Sequence, residues 1–266
     1  MPARPGRGIR ERTERPIRDS AEPGAPPARR ADAGVVRLTG RDICGLVWCG
    51  EMHGVPYDLL ASLLAVRDDR LRAITGRWRK AGYAQTARLG PGPAWCWLTR
   101  PGLAAAGLDL PATPPSLGRL AHLRAVAAVR LSLQSGPAWT DGHAHWRSER
   151  KIRHAMGGRL PAGHVPDAEV SWPDVPDSPY PGEMWAIEAE LTPKPLARTA
   201  AIMAGLLART AGYSPGSAPR PDPRYARVVY LTAPPAAPVC ARAAATLPPP
   251  LAARVTIRDL PEGALL

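Results

Sequence analysis

The chain has 266 residues, 35 Lys and Arg against 23 Asp and Glu, a formal charge of +12 and a pI near 10.4. That length suits one large domain or two modest ones joined closely, and the charge argues against an acidic small-molecule enzyme and for a polyanionic partner. No apolar run approaches the roughly 20 residues of a spanning helix, and residues 1–33 hold arginines without the apolar h-region of a signal peptide, so no membrane partner and a cytoplasmic location are expected.

Residues 1–36 alternate Arg, Pro, Gly and acids with almost no apolar periodicity, which predicts a disordered basic Pro/Arg-rich tail. Order is expected from Leu38. Thr39 and Asp42 have the spacing of a capping box and open a helix with Ile43, Leu46 and Val47 inward, ended by Gly50. Pro56 starts a second helix carrying Leu59, Leu60, Leu63 and Leu64. A third, capped by Asp68 or Asp69, places Leu71, Ile74 and Trp78 on one stripe and stops at Gly82. Tyr83–Leu89 and Ala94–Leu98, joined by a Gly90–Pro93 turn, read as a β-hairpin. Three helices and a hairpin predict a winged helix-turn-helix over 37–110, with a short helix after Thr99 and Pro101 and a proline-rich connector at 110–116.

The region 116–266 opens with a predicted amphipathic helix at 117–133, basic on its outer side, with Leu120, Leu123, Ala127 and Leu131 inward. Residues 139–152 fit strand or helix equally. Strands follow at 164–172 and 184–191, then a helix from Pro195 to Ala211, a buried strand at 228–231, a helix at 239–246 and a strand at 255–257. Together these predict an α+β or α/β chain, a winged helix followed by a second α/β layer.

Two sites stand out. On the third helix, Asp69, Ala73, Gly76 and Lys80 form an outer face edged by Arg70, Arg72, Arg77 and Arg79, and Arg88 sits on the hairpin. Small residues between cations suit close approach to double-stranded DNA. The alternative is a solvated face in an arginine-rich composition, in which Lys80, Lys151 and Lys194 are the only lysines.

In the second region, Arg119, Arg124, Arg130, Arg147, Arg150, Lys151, Arg153 and Arg159 face few acids, whereas 167–190 holds seven acids and no Lys or Arg. Strand alternation puts Glu188 and Glu190 on one face, and a neighbouring strand brings Asp167 near them. Such a group can hold Mg²⁺ through oxygen ligands, and a lysine such as Lys194 can orient the nucleophile or neutralise the phosphate. The alternative is that the glutamates pair with arginines at the surface.

Thr39-Gly40-Arg41-Asp42, the Arg-rich third helix ending in Ala81-Gly82-Tyr83, His122, Trp146-Arg147-Ser148-Glu149, Pro166-Asp167 and Ile187-Glu188-Ala189-Glu190-Leu191-Thr192-Pro193-Lys194 resemble the replication-relaxation family of actinobacterial and firmicute plasmids and integrative elements. The resemblance covers about residues 38–231. It implies a winged helix joined to a restriction-endonuclease-like PD-(D/E)xK domain of αβββαβ order. Asp167 and Glu188 or Glu190 would then be metal ligands, Lys194 the catalytic lysine and Glu149 an auxiliary acid, with replication or conjugation proteins as further partners. One position departs from the motif, because Glu190 stands where a lysine is expected and Lys194 has to reach back.

The remaining motifs are weaker. Asp141, His143 and His145 have metal-ligand spacing and read as surface residues; His122 reads as a packing or hydrogen-bonding residue. Cys44, Cys49, Cys96 and Cys240 lack paired spacing and read as free thiols. No Walker loop, GxGxxG or GxSxG occurs. The expected function is a Mg²⁺-dependent nuclease or nickase of mobile-element replication. The alternatives are a non-cleaving DNA-binding replication or transfer factor, or a winged-helix transcriptional regulator.

Overall fold

The computed structural model describes residues 37–136, 144–157, 163–210 and 224–265. The expected tail at 1–36, and Asp141, His143 and Arg159, lie outside the described residues. Among the described residues the chain is mixed α+β, with helices and two sheets.

Helix α1 (Gly40–Glu51) carries the expected capping box: the Thr39 N–H donates to Asp42 Oδ2 (2.9 Å) and the Asp42 N–H to Thr39 Oγ1 (3.2 Å). Gly50 does not end it. That glycine is buried, and a Cβ there would meet Leu108 at 2.4 Å and Leu103 at 3.1 Å, so Gly50 serves close packing. The chain instead reverses at His53 (φ 60°) and Gly54 (φ 120°). Ile43, expected inward, is 36% exposed, while Leu46, Trp48 and Cys49 fill the core.

Strand β1 (Val55–Pro56) precedes α2 (Tyr57–Leu63), so Pro56 closes a strand and caps the helix rather than lying within it. In α3 (Asp68–Lys80) Leu71, Ile74 and Trp78 are buried as expected. The Trp78 indole N–H donates to Asp42 Oδ1 (2.8 Å), locking α3 to the start of α1. Gly82 (φ 75°) turns the chain into β2 (Ala84–Ala87), which pairs antiparallel with β3 (Trp95–Leu98). Sheet order is β1-β3-β2. The short helix α4 (Arg100–Ala105) is capped by Thr99.

A 3₁₀ turn at Leu117–Arg119 leads into α5 (Leu120–Gln134). Its expected basic outer face is overturned, since Arg124 and Arg130 are buried at 4% and 6%. The helix lies between the N-terminal helices and the second sheet, so nearly every side faces protein. Anions from the N-terminal part neutralise both arginines. Arg124 Nη1 donates to Asp58 Oδ1 (3.0 Å), and Arg130 Nη1 lies 2.7 Å from Glu51 Oε2.

The undecided stretch at 139–152 resolves, in its described part, into β4 (His145–Ser148) and then α6 (Glu149–Ala155), with Ser148 capping the helix. The second sheet adds β5 (Ala168–Ser171), β6 (Met184–Glu190), β7 (Arg227–Thr232) and β8 (Val255–Asp259) in the order β4-β5-β6-β7-β8. The first three strands run antiparallel and the last three parallel. Parallel pairing requires crossovers, supplied by α7 (Leu196–Leu207) and α8 (Ala237–Ala245), with a short α9 (Pro249–Ala252) before β8.

Alternation assigns the two faces. Ala168, Val170, Ile187, Ala189, Val229 and Leu231 share a core with α5 and the N-terminal helices. Ala186, Val228 and Tyr230 pack with Met203, Leu206 and Cys240 of α7 and α8. One core therefore joins the two halves. At its centre Glu51, only 4% exposed, holds Arg130 of α5 and Lys151 of α6 (2.7 Å). Arg150 donates to the carbonyls of Gly50 and Pro111. Stranding buried cations is expensive. Glu51→Ala is expected to destabilise the chain by about 3–5 kcal/mol, measured by denaturant unfolding. A loss below about 1 kcal/mol would mean the network contributes little.

Candidate functional site

The carboxylates gather where β5 and β6 part. Pro166 lacks an N–H, and β5 begins only at Ala168, shorter than the strand expected from 164. The last pair on that side is Ala168↔Ile187. Beyond it the Ala189 N–H has no strand partner on that edge, and it donates instead to Asp167 Oδ2 (2.9 Å). The Asp167 carbonyl accepts the Glu149 N–H (2.8 Å), fixing the start of α6. His122 Nε2 reaches Asp167 Oδ1 from α5 (2.8 Å). Asp167 is thus held from three elements.

Glu188 and Glu190 share one face of β6, opposite Tyr230 and Thr232, and are 4% and 6% exposed. Neither is a surface residue. His164 Nε2 lies 2.8 Å from Glu188 Oε1. Lys194 folds back one turn to bond the Glu190 carboxylate. Glu149 is claimed by Arg119 (2.9 Å) and Arg153 (2.8 Å). The structure therefore brings Asp167 beside Glu188, ties Lys194 to Glu190, and turns Glu149 toward surface arginines while its backbone stays in the site.

Electrostatics follow burial. Desolvation, reinforced by the charge of Asp167, raises Glu188 to about 7 against the relief offered by His164. The Glu188 bond lifts His164 above its ordinary value. For His122, burial lowers the pKa but the Asp167 hydrogen bond outweighs it, and the net direction is up. Burial also raises the Tyr230 phenol, with Glu188 as the next cause. His164 went unnoticed in the sequence; its signal was a histidine three residues before Asp167, in a run that otherwise alternates apolar residues.

Among the described residues no group of three or more His, Cys, Asp or Glu is arranged to hold a metal ion. The donor chemistry is still that of a hard cation. Asp167 and Glu188 press together under burial, Glu188 keeps one oxygen without a partner among the described residues, and Mg²⁺ needs only one or two carboxylates when water and phosphate complete its shell.

The candidate DNA face is exposed. Arg72, Arg79 and Arg88 line one cleft with Gly76 between α3 and the hairpin, and Arg79 and Lys80 line a second against β2. Arg77 lies on the other edge, bound to Asp42 (3.3 Å), and Arg70 shares that edge one heptad earlier. His145 is exposed on β4. Cys44 is exposed and Cys49, Cys96 and Cys240 are buried, all unbridged. Compared with known families and curated proteins, the chain matches no family model and no curated protein.

A proton-linked stability change follows from this geometry. The native chain holds a proton on Glu188 up to about pH 7, whereas an unfolded glutamate releases it near 4.5, so stability falls as pH rises through that window. His164, raised above 6.5, acts in the same sense, contributing below that value and losing its contribution as pH climbs. Glu188→Gln removes the charge that burial penalises. Relative to wild type, the variant is expected to gain stability by on the order of 2 kcal/mol between pH 5 and pH 8. Parallel stability curves for the two chains would show that Glu188 ionises normally.

Proposed function

We propose that the protein binds double-stranded DNA and cleaves a phosphodiester bond with Mg²⁺ held by Asp167 and Glu188, as expected of a mobile-element replication or relaxation nuclease. The observation that carries this reading is the pair of buried carboxylates, Glu188 on β6 and Asp167 just before β5, one with its pKa raised to about 7, inside a strongly cationic chain. Three helices followed by a hairpin support a winged helix, and the order α5, β4, α6, β5, β6, α7, β7 is compatible with a restriction-endonuclease-like core in which, unlike the expected αβββαβ order, helix α6 stands between the first two strands.

Bound there, Mg²⁺ would supply a water of lowered pKa and neutralise phosphate charge. The chain's own residues do the rest. His122 and the Ala189 N–H fix the Asp167 carboxylate, His164 orients Glu188, and both act through bonds already formed. Lys194 neutralises Glu190 and stands four residues beyond the motif position. Arg72, Arg79, Lys80 and Arg88 hold the duplex through its phosphates.

A second reading is a replication or transfer factor that binds DNA without cutting it. The Lys194–Glu190 bond favours it, because the lysine available to the reaction is already engaged.

Supercoiled and linear DNA incubated with the protein in Mg²⁺ or EDTA decides between them. Nicking or cleavage is expected in Mg²⁺ alone, and Asp167→Ala should lose it by on the order of 100-fold or more while still shifting DNA on a gel. A wild-type chain that shifts every substrate and cuts none leaves the binding factor standing. In the same assay, Arg79→Ala should weaken binding across sequences and reduce the salt slope by about 1; an unchanged slope removes the α3 face from the interface.

A further inference from the structure

We propose that a second anion site lies beside the carboxylates, in a cleft of about 330 Å³ where Arg147, Arg209 and Arg224 converge, and that it holds a phosphate group of a nucleic-acid strand. The three arginines come from separate parts of the chain. Arg147 stands on β4, Arg209 follows α7 and Arg224 precedes β7. Glu169 of β5 and Tyr225 form the floor.

The hydrogen bonding shows a prepared site. Glu169, 3% exposed, accepts from Arg224 Nε (3.0 Å) and Nη2 (2.7 Å), from the Tyr225 hydroxyl (2.6 Å), and from Arg147 Nη1 (3.2 Å). One buried carboxylate therefore orients two guanidiniums whose side chains remain 41% and 28% exposed. Arg209 does not bond Glu169 and donates to the His164 carbonyl instead. A purely structural ion pair would be complete with Arg224 alone. Three cations around one anion leave positive charge unmatched, and among the described residues Arg147 and Arg209 each spend a single N–H, leaving most of both forks open.

Guanidinium forks converging from several directions suit a tetrahedral oxyanion, which accepts from each in turn. Location narrows the source. Glu169 lies two residues from Asp167 along the chain, roughly 7 Å, and both point to the same sheet face. Arg209 grips the backbone of His164, whose ring holds Glu188. A phosphate in the cleft would then neighbour the one at the carboxylates, which deepens the nuclease reading and rests on it for the identity of the strand.

The test uses the full chain in EDTA. Inorganic phosphate, titrated at constant ionic strength against chloride, is expected to raise the unfolding temperature of wild type and of Asp167→Ala in a saturable way. The rise should disappear in Arg209→Gln and, independently, in Arg147→Gln, whose fold keeps the Arg224–Glu169 pair; Arg242→Gln, exposed on α8 away from both cationic clefts, should respond as wild type. Fluorescence anisotropy with a single-stranded oligonucleotide bearing a 5′-phosphate or a 5′-hydroxyl then identifies the source. If an internal phosphate is bound, Arg147→Gln weakens both forms about tenfold and lowers the salt slope by about 1. With a terminal phosphate the weakening is confined to the phosphorylated form, and either pattern supports the site. Phosphate no better than chloride, or both arginine variants responding as wild type, overturns it. A thermal shift lost in the variants with oligonucleotide binding unchanged overturns the nucleic-acid source. Because Asp167→Ala keeps the thermal response, absence of DNA cleavage alone sinks the nuclease reading and leaves the phosphate response as a separate result.

Discussion

Arg130 is the residue around which the two halves of the chain are assembled. Its guanidinium lies 4.7 Å from the Trp48 ring centroid and 5.8 Å from that of Trp146, one ring from α1 and the other from β4. Glu51 faces it from the end of α1. Burial lowers the pKa of Arg130, and the Glu51 charge opposes that shift. A cation this deep requires its anion and its aromatic neighbours together, so α5 cannot keep its place on the sheet if the N-terminal helices leave. Arg124 repeats the constraint through Asp58 of α2. The surface of α3 is consequently built on the same frame that positions the carboxylates, and on the proposed reading DNA held by one is presented to the other without a hinge.

The same helix reaches the site directly. His122, two residues before Arg124, supplies the Asp167 contact, and Arg119 supplies one of the two bonds that hold Glu149. Helix α5 thus joins the N-terminal anions to the carboxylate cluster within a few turns. Each of the central acids has one imidazole: His122 for Asp167 and His164 for Glu188. Imidazole is suited to this, since it changes charge near neutrality and can follow the protonation of the acid it touches. Burial is what chiefly raises Glu188, with the Asp167 charge adding to it, and the His164 bond opposes both.

What the sequence revealed and what it hid divide along a physical line. Local signals were legible: the Thr39–Asp42 cap, the Leu71, Ile74 and Trp78 stripe, the Gly82 stop and the alternation of β6 depend on neighbours a few residues away. The two-residue strand β1 was invisible because its existence depends on β3, some 40 residues on, and two residues carry no period. Arg124 and Arg130 looked solvent-facing because arginine usually is; only their tertiary partners, Asp58 and Glu51, make burial affordable. The acids Asp167, Glu188 and Glu190 were legible as a group, whereas His164 and the tie between Lys194 and Glu190 depend on how the chain leaves the sheet at Leu191–Pro195.

That exit decides the character of the site. At Glu190 the strand side chain points toward the face of Glu188, where a lysine would place its ammonium beside the carboxylate pair. Glutamate there adds a third acid, which would be strongly disfavoured in so buried a place without a cation. Pro193 and Pro195 hold the following segment out of the ladder and out of helix, and Lys194 between them returns over one turn to meet Glu190. On the proposed reading the motif lysine is displaced along the chain rather than lost, and its charge reaches the Glu190 carboxylate. What differs is the partner: an ammonium committed to Glu190 neutralises an acid of the protein before it can meet a phosphate. On the proposed reading Lys194 therefore serves the site by neutralising Glu190, and the phosphate charge falls to a cation that Asp167 and Glu188 would hold.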